Sequence, residues 1–270
     1  MMAIRNTVML CESLTPEQAR AFCKEQNGWI LEQKVDGVRG FIQDGKLYDR
    51  RGVEITERFP EFIGIGTMQG IFDGEIICKS NDFGDIQSRM HLKDRFLRKL
   101  MQEKNPALFV LFDVLEDAKD MRTLKQRKER LRGLMDEGKL PSWVMVLPWE
   151  DAEKFDAMWA KVEQNGWEGL VLKDGASVYE RKRSQSWLKA KSFSETQADF
   201  VKYEEHPRGI TIETADGRRV VVNGAMAPVV KHELIRNGKV RCDILFMKSA
   251  LEGSDAWRFA SFRGVSEVAK

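Results

Sequence analysis

Lys34-Val35-Asp36-Gly37-Val38-Arg39 is the most informative stretch of this sequence. It stands at the end of a segment predicted as a strand over residues 29–34 and runs into a second predicted strand over 38–43. A third strand over 46–49 is joined to the second by Asp44-Gly45, a strong hairpin signal. Taken alone, the stretch would also suit a surface hairpin whose charges are merely solvated. Its lysine becomes informative only together with other segments of the chain.

Five further segments follow this lysine in a fixed order. They are Asp49–Gly52 (DRRG), Phe72–Glu75 (FDGE), Leu111–Val114 (LFDV), Glu168–Lys173 (EGLVLK) and Trp187–Lys191 (WLKAK). With the lysine stretch, they make the chain resemble the covalent nucleotidyltransferases, and within them the ATP-dependent DNA ligases of the minimal two-domain type. The resemblance extends in motif-level detail over roughly residues 30–191 and more loosely over the C-terminal part.

The resemblance implies an enzyme that seals 5′-phosphate/3′-hydroxyl nicks in duplex DNA through a lysyl-AMP and then an adenylated DNA intermediate. Lys34 is then the nucleophile that takes AMP from ATP, and the implied catalytic set is Lys34, Asp36, Lys189 and Lys191. The residues implied to hold the nucleotide are Gln33, Lys34, Arg39, Arg50, Glu75, Phe112, Glu168, Lys173, Lys189 and Lys191. Those implied to contact DNA are Arg39, Arg50, Arg181, Lys182 and Arg183. The neighbouring Arg51 leaves the assignment of Arg50 open.

Two features of the lysines agree with these roles. A nucleophilic lysine must be neutral, whereas a free lysine has a pKa of about 10.4, so cations and partial burial must lower the pKa of Lys34. Lys189 and Lys191 are two positions apart on a predicted strand and therefore share a face, which suits groups that flank one phosphate. An ordinary solvated edge strand would show the same spacing.

The acidic motif offers a second group of candidates. Asp73 and Glu75 share one face of a predicted strand, where two carboxylates could bind ribose hydroxyls or metal-bound water. The polar outer face of an ordinary antiparallel strand would look the same. The resemblance implies that Glu75 holds the sugar, that Glu75 and Glu168 support Mg²⁺ or Mn²⁺, and that Phe112 stacks on adenine.

The remaining sequence predicts an α+β fold of two domains, as a length of 270 residues allows. Helices are predicted over residues 16–26, 85–104, 120–136 and 151–164, and further strands over 70–78, 107–114, 143–148, 168–173 and 186–191. From about residue 194, short β-rich runs with turn signals indicate a small barrel of about five strands. The predicted domains are residues 1–193, a nucleotidyltransferase (adenylation) domain of antiparallel sheets and helices, and residues 194–270, an OB-fold domain.

Charge and composition narrow the class of protein. The net charge of +2 is too small to indicate nucleic acid by itself, but Lys119–Arg132 holds seven basic residues and Arg181–Lys191 holds five. A solvated helix face is the simpler interpretation of the first run, whereas the second adjoins the last motif and suits phosphate contact without sequence preference. No apolar run reaches the length of a membrane span, and the four cysteines lack zinc-site or disulfide-framework spacing. We expect a monomer in a cytoplasmic compartment (bacterial cytosol or virus-infected host cell), with nicked duplex DNA as partner and no membrane.

Two alternatives remain. An RNA ligase or an mRNA-capping guanylyltransferase would share the lysine and most motifs, and a non-catalytic OB-fold nucleic-acid-binding protein would share the barrel. The family's last motif also departs from its pattern here, because Ser266 and Val268 stand where arginine and aspartate are expected. Arg263 and Lys270 are the candidates to replace its charge.

Overall fold

The structure, a computed structural model, describes residues 8–248 and 257–266. The chain divides into two compact units, Met1–Lys191 and Ser192–Lys270. In its described part, the first unit contains two five-stranded sheets and the second unit contains a third. The domain boundary that the sequence suggests, after residue 193, stays a prediction. Across the described ranges, no helix combines the length and the apolar composition needed to cross a membrane.

The first sheet carries α-helices on one face. Its strands are β1 (Leu10–Leu14), β2 (Trp29–Gln33), β8 (Trp149–Asp151), β9 (Gly169–Asp174) and β10 (Arg183–Lys191). They lie in the order β1-β10-β9-β2-β8, with β1 and β10 parallel and the other neighbours antiparallel. Two helices, α1 (Pro16–Glu25) and α5 (Phe155–Asn165), pack on one face over a core that includes Leu31, Leu170, Leu172, Leu188 and Ala190. Because side chains alternate along a strand, the residues between these leucines point to the opposite face.

The second sheet completes the first unit. Its strands are β3 (Val38–Gln43), β4 (Lys46–Asp49), β5 (Ile71–Cys78), β6 (Ala107–Leu115) and β7 (Val144–Val146), in the order β4-β3-β5-β6-β7. Three helices, α2 (Phe83–His91), α3 (Arg95–Lys104) and α4 (Leu124–Asp136), lie between β5 and β7 in the chain. The core under α2 and α4 includes Ile42, Phe72, Ile76, Ile86, Phe109, Leu111, Leu131 and Leu134.

Local sequence signals explain several of these elements. Thr15 caps α1 through a full capping box with Gln18, and Pro16 occupies the first turn, as the sequence predicts. Asp44 and Gly45 both have positive φ, of 51° and 71°, as a two-residue hairpin between β3 and β4 requires. The predicted hairpin is therefore confirmed.

Three helix predictions need correction. The helix predicted over 85–104 is two helices, because Leu92 is extended and Asp94 caps a new helix by accepting a hydrogen bond from the backbone N–H of Leu97. The helix predicted over 120–136 begins only at Leu124, after a capping box formed by Thr123. The helix predicted over 151–164 begins at Phe155, since the residues just before it form β8 and a short 3₁₀ turn.

The basic run Lys119–Arg132 is only in part the solvated helix face that its sequence suggests. Arg127 and Asp113 are both fully buried, and Arg127 Nε lies 2.8 Å from Asp113 Oδ1. Lys128 is also buried and pairs with Glu32 on β2. Burial lowers the pKa of Lys128 from its ordinary value, while the negative charge of Glu32 opposes that shift. Part of the run therefore fastens α4 to both sheets instead of contacting solvent.

Replacing Arg127 by alanine should lower the free energy of unfolding by about 3–5 kcal/mol, because Asp113 would stay buried without its partner. Arg130 is an exposed residue of the same helix, so Arg130→Ala should change stability by less than about 0.5 kcal/mol. Urea denaturation of both variants measures the difference. Equal stability of the two variants would show that the Asp113–Arg127 pair does not hold α4 in place.

The second unit contains, in its described part, a five-stranded sheet and one helix. Its strands are β11 (Ser194–His206), β12 (Gly209–Thr214), β13 (Arg219–Asn223), β14 (Val240–Lys248) and β15 (Trp257–Val265), in the order β13-β12-β11-β14-β15. The outer strands β13 and β15 approach each other, as in a small barrel. The sequence did not predict the helix α6 (Met226–Asn237), although Pro228 in its first turn and Gly238 after its end are start and stop signals. Ala227, Val230 and Leu234 of α6 pack into the core of this unit.

Candidate active site

The candidate site lies between the two sheets of the first unit. Glu32 is paired with Val171, and Trp187 with Lys173, so all four side chains lie on the face of the first sheet opposite α1 and α5. The second sheet contributes Phe112, whose ring centroid is 6.1 Å from that of Trp187. Residues of three motifs, LFDV, EGLVLK and WLKAK, therefore lie in one layer between the sheets.

Glu168 brings two of the predicted lysines together. Lys34 Nζ donates a hydrogen bond to Glu168 Oε2, and Lys191 Nζ lies 2.7 Å from Glu168 Oε1. Glu168 is 6% exposed, whereas the side chains of Lys34 and Lys191 are 22% and 27% exposed. Gly169 permits this arrangement, because a Cβ there would lie 2.0 Å from the carbonyl oxygen of Ala190. The two lysine side chains are thus partly accessible from solvent, whereas the carboxylate that pairs with them is buried.

Lys189 belongs to the same cationic group. Burial lowers the pKa of Lys189 from its ordinary value, and the positive charges of Lys191, Lys34 and Arg183 lower it further. Lys189 also shares one face of β10 with Lys191, so these lysines are grouped on the same side of the sheet. Such a concentration of positive charge suits a phosphate group.

A second group of residues orients Arg39. Arg39 forms two hydrogen bonds of 2.7 Å with Asp73, and Tyr179 donates a third to the same carboxylate at 2.5 Å. Burial alone would lower the pKa of Arg39, but Asp73 raises it, so the guanidinium stays charged. Its Cζ lies 4.5 Å from the centre of the Phe112 ring. Arg39 is therefore held in one orientation against the aromatic layer.

The lysine stretch itself requires close packing at Gly37. A Cβ at this position would lie 2.4 Å from the carbonyl oxygen of Ile76 and 2.9 Å from Glu75 Cγ. Glycine therefore allows the chain between β2 and β3 to approach β5 directly. Asp36, the neighbouring residue predicted to be catalytic, is half-buried in the same connection. The approach brings the segment that bears Lys34 next to Glu75.

Glu32 is a site residue that the sequence analysis missed. It is 1% exposed and pairs with two buried lysines, Lys128 and Lys173, with Lys173 Nζ 2.6 Å from Glu32 Oε2. Lys173 Nζ also lies 4.3 Å from the centre of the Phe112 ring and 3.9 Å from a ring of Trp187. The available signal was alternation along β2, which puts Glu32 and Lys34 on the same face.

Gln33 is a predicted nucleotide-binding residue whose side chain lies on the opposite face of the first sheet from the candidate site. It pairs with Leu170, which belongs to the core under α1 and α5, so its side chain points away from Lys34. Any contact between Gln33 and a nucleotide would have to use its backbone.

Of the five residues predicted to contact DNA, Arg39 belongs to the candidate site, and the other four are Arg50 and residues 181–183. Arg50 is exposed directly after β4, while its neighbour Arg51 is engaged with Asp49 at 3.2 Å. Lys182 is exposed and lies 2.8 Å from Glu180, Arg183 is exposed and donates to the carbonyl of Cys11, and Arg181 is partly buried. Their contact with DNA stays a prediction. Of the two candidates for the altered last motif, Arg263 is exposed on β15, and Lys270 lies outside the described residues.

Glu75 and Glu168 offer the oxygen ligands that a divalent metal prefers. Burial raises the pKa of Glu75 to about 7, Arg39 and Lys34 oppose the rise, and the nearby negative charge of Glu168 adds to it. Within residues 8–248 and 257–266, no three His, Cys, Asp or Glu side chains are grouped to hold a metal. The pair nevertheless fits Mg²⁺, which is commonly held by one or two carboxylates together with substrate phosphates.

The raised pKa of Glu75 predicts a pH dependence of stability. The folded protein binds a proton at Glu75 up to about pH 7, whereas in the unfolded chain that proton is lost near pH 4.5, so stability should fall as pH rises between these values. The loss should reach up to about 3 kcal/mol. Glu75→Gln should remove this component, and denaturation curves from pH 4 to pH 8 measure it. Parallel pH profiles for wild type and variant would contradict the assignment.

Comparison with known proteins identifies the family. A family model for the ATP dependent DNA ligase domain matches residues 8–191, more than half of the chain. The chain therefore belongs to this family. The bifunctional non-homologous end joining protein LigD of Bacillus subtilis is 30% identical over 230 residues, which cover 74% of this chain and 36% of LigD. The SPbeta prophage-derived DNA ligase-like protein LigB of the same organism is 29% identical over 199 residues, with 70% of each chain covered.

The chain spans about a third of the length of the first curated relatives that it matches. Its fold has a fuller counterpart in a solved structure of a Lig E DNA ligase. That structure has a TM-score of 0.67 at 18% identity, and the match covers 97% of this chain and 100% of the other. The predicted fold class, an α+β nucleotidyltransferase domain with an OB-fold, is confirmed.

Proposed function

We propose that this protein is an ATP-dependent DNA ligase that seals nicks in duplex DNA through a lysyl-AMP intermediate. The observation that carries the proposal is the group formed by Lys34, Glu168 and Lys191. It joins a partly exposed amine, a buried carboxylate and a second cation at one point between the sheets. Family membership and the order of the motifs support the same activity.

The first step is transfer of AMP to the protein. Lys34 Nζ attacks the α-phosphorus of ATP, a P–N bond forms, and the bond to pyrophosphate breaks. The attacking amine must lose a proton, and Glu168 Oε2, which already accepts a hydrogen bond from it, is the acceptor. Lys189 and Lys191 stabilise the charge that develops on the phosphate.

The later steps transfer AMP from protein to DNA and then release it. The 5′-phosphate oxygen at the nick attacks the AMP phosphorus and expels the Lys34 amine, which recovers its proton. The 3′-hydroxyl then attacks the 5′-phosphate, loses its proton and expels AMP as the new phosphodiester bond forms. Arg39, fixed by Asp73, is placed to hold a phosphate or the ribose during these steps.

A divalent metal would be held by Glu75 and Glu168 together with the phosphates of ATP. When bound, it supplies positive charge to the oxygens around the reacting phosphorus. We propose ATP as the AMP donor and nicked duplex DNA as the partner. The proposed contacts with DNA are made to phosphates, so they do not depend on the base sequence.

A sealing assay tests the proposed function. A nicked duplex with a labelled 5′-phosphate is incubated with the protein, ATP and Mg²⁺, and the sealed strand is separated on a denaturing gel. Sealing should be insensitive to base sequence and should weaken steeply as salt rises. Replacing ATP by GTP separates a ligase from a capping guanylyltransferase. Absence of a sealed product with ATP, or protein labelling by GTP alone, would contradict the proposal.

A further inference from the structure

The helix α3 has no buried residue, and six of its ten residues are exposed. The side chains of Phe96 and Leu97 are 74% and 41% exposed. Helices of globular domains usually bury one apolar stripe, and an exposed stripe marks an interaction surface. The first unit therefore presents an apolar helix face that its own core leaves uncovered.

The same segment concentrates positive charge. Residues 91–104 contain five Lys or Arg and two Asp or Glu, so their formal charge of +3 exceeds the +2 of the whole chain. Arg98 is used internally, since it donates to the carbonyls of Leu92 and Glu57. By contrast, Lys93, Lys99 and Lys104 are exposed, and none is ion-paired to another residue of the described ranges.

The apolar and basic residues lie side by side on the helix. Phe96 and Leu100 are four residues apart and share one face, and Lys99 and Lys104 lie on either side of that pair. Glu103 is the acidic residue of α3. An aromatic side chain between two lysines suits duplex DNA, in which phosphates flank a groove that apolar side chains can enter.

The helix is anchored close to the candidate active site. The segment with α2 and α3 leaves the second sheet at Cys78 and returns at Ala107, which are paired neighbours on β5 and β6. Cys78 is three residues beyond Glu75, a distance of about 10 Å along a strand. A buried ion pair of 2.7 Å between Arg89 and Glu61 fastens the base of the segment. The C-terminal end of α3, Lys104, is three residues before Ala107, so it lies within about 11 Å of the point where the segment rejoins the sheet.

We propose that α3 is a second DNA-contacting surface, at which Lys99 and Lys104 bind backbone phosphates and Phe96 enters the groove between them. It would hold the duplex to one side of the nick. This inference rests on the proposed function, because duplex DNA is the partner that function supplies. The area is separate from the predicted phosphate contacts at Arg39, Arg50 and Arg181–Arg183.

Equilibrium binding to a nicked duplex over a range of salt concentrations tests the proposal. For Lys99→Ala/Lys104→Ala, affinity at 0.1 M salt should fall by about tenfold or more, and the slope of log K against log salt should become shallower by about 2. Phe96→Ala should weaken binding without changing the slope, since an apolar contact releases no counterions. All three positions are exposed, so circular dichroism and thermal unfolding should match those of the wild type.

The matched control is Lys24→Ala/Lys161→Ala, which removes two exposed lysines from α1 and α5 on the far side of the first sheet. It should leave the slope unchanged. The proposal would be overturned if wild type and Lys99→Ala/Lys104→Ala had equal slopes, or if the control lost as much affinity as Lys99→Ala/Lys104→Ala. In either case α3 would be a surface for another partner. Binding requires no chemistry, whereas labelling of the wild type by ATP does. The labelling experiment therefore tests the proposed ligase activity, and the binding experiment tests the α3 contact independently of it.

Discussion

Lys34→Ala is expected to reduce formation of the covalent protein–AMP adduct to background, a loss of at least about 10⁴-fold. The reason is chemical: no other group would supply the amine that forms the P–N bond, and binding energy elsewhere cannot replace a nucleophile. Lys34→Arg should be equally inactive, because its guanidinium keeps the positive charge beside Glu168 but stays protonated. The adduct is measured with labelled ATP after denaturation.

The control for this experiment is Lys161→Ala, on an exposed position of α5, which should label as the wild type does. Because Lys34 is partly exposed and Glu168 keeps its ion pair with Lys191, thermal unfolding of Lys34→Ala should stay close to that of the wild type. A labelled adduct on Lys34→Ala at wild-type level would mean that another residue is the nucleophile.

Glu168→Gln is expected to slow adduct formation by about 10²–10³-fold, since the amide can orient Lys34 and Lys191 but cannot take a proton. In single-turnover experiments, the rate for this variant should keep rising with pH, because the Lys34 proton must then go to solvent. The wild type should level off at lower pH. This difference in profile separates proton transfer from a purely structural role.

A matched carboxylate control is Glu153→Gln, on an exposed residue before α5. It should leave both the rate and the pH profile unchanged. If Glu168→Gln labels within about twofold of the wild type, Glu168 does not accept the Lys34 proton, and its ion pairs only position the two lysines.

The sequence alone was enough to identify the residues of the proposed chemistry. Lys34, Glu168 and Lys191 were found because each sits in a short motif, and strand alternation correctly placed pairs such as Lys189 and Lys191 on one face. The alternation of side chains along one strand does not show which residue of another strand they contact. Lys34 and Glu168 are 134 positions apart, and their hydrogen bond depends on how β2 and β9 pair.

The features that the sequence did not predict also depend mainly on contacts between residues far apart in the chain. Glu32 and Lys128 are 96 positions apart, and a basic helix looks solvated until its buried carboxylate partners are located. The same holds for Arg127, whose burial is possible only because Asp113 lies opposite it on β6. The break between α2 and α3 does have a local signal, the capping residue Asp94. The helical periodicity continues through this position, however, and predicts a single helix.

The most direct test of the account is to locate the covalent AMP. The protein is incubated with ATP and Mg²⁺, denatured, digested at a pH that preserves a P–N bond, and analysed by peptide mass spectrometry. We expect AMP on the peptide that contains Lys34, attached to the side chain of that lysine. AMP on any other residue, or no adduct on a protein that seals nicks, would contradict it.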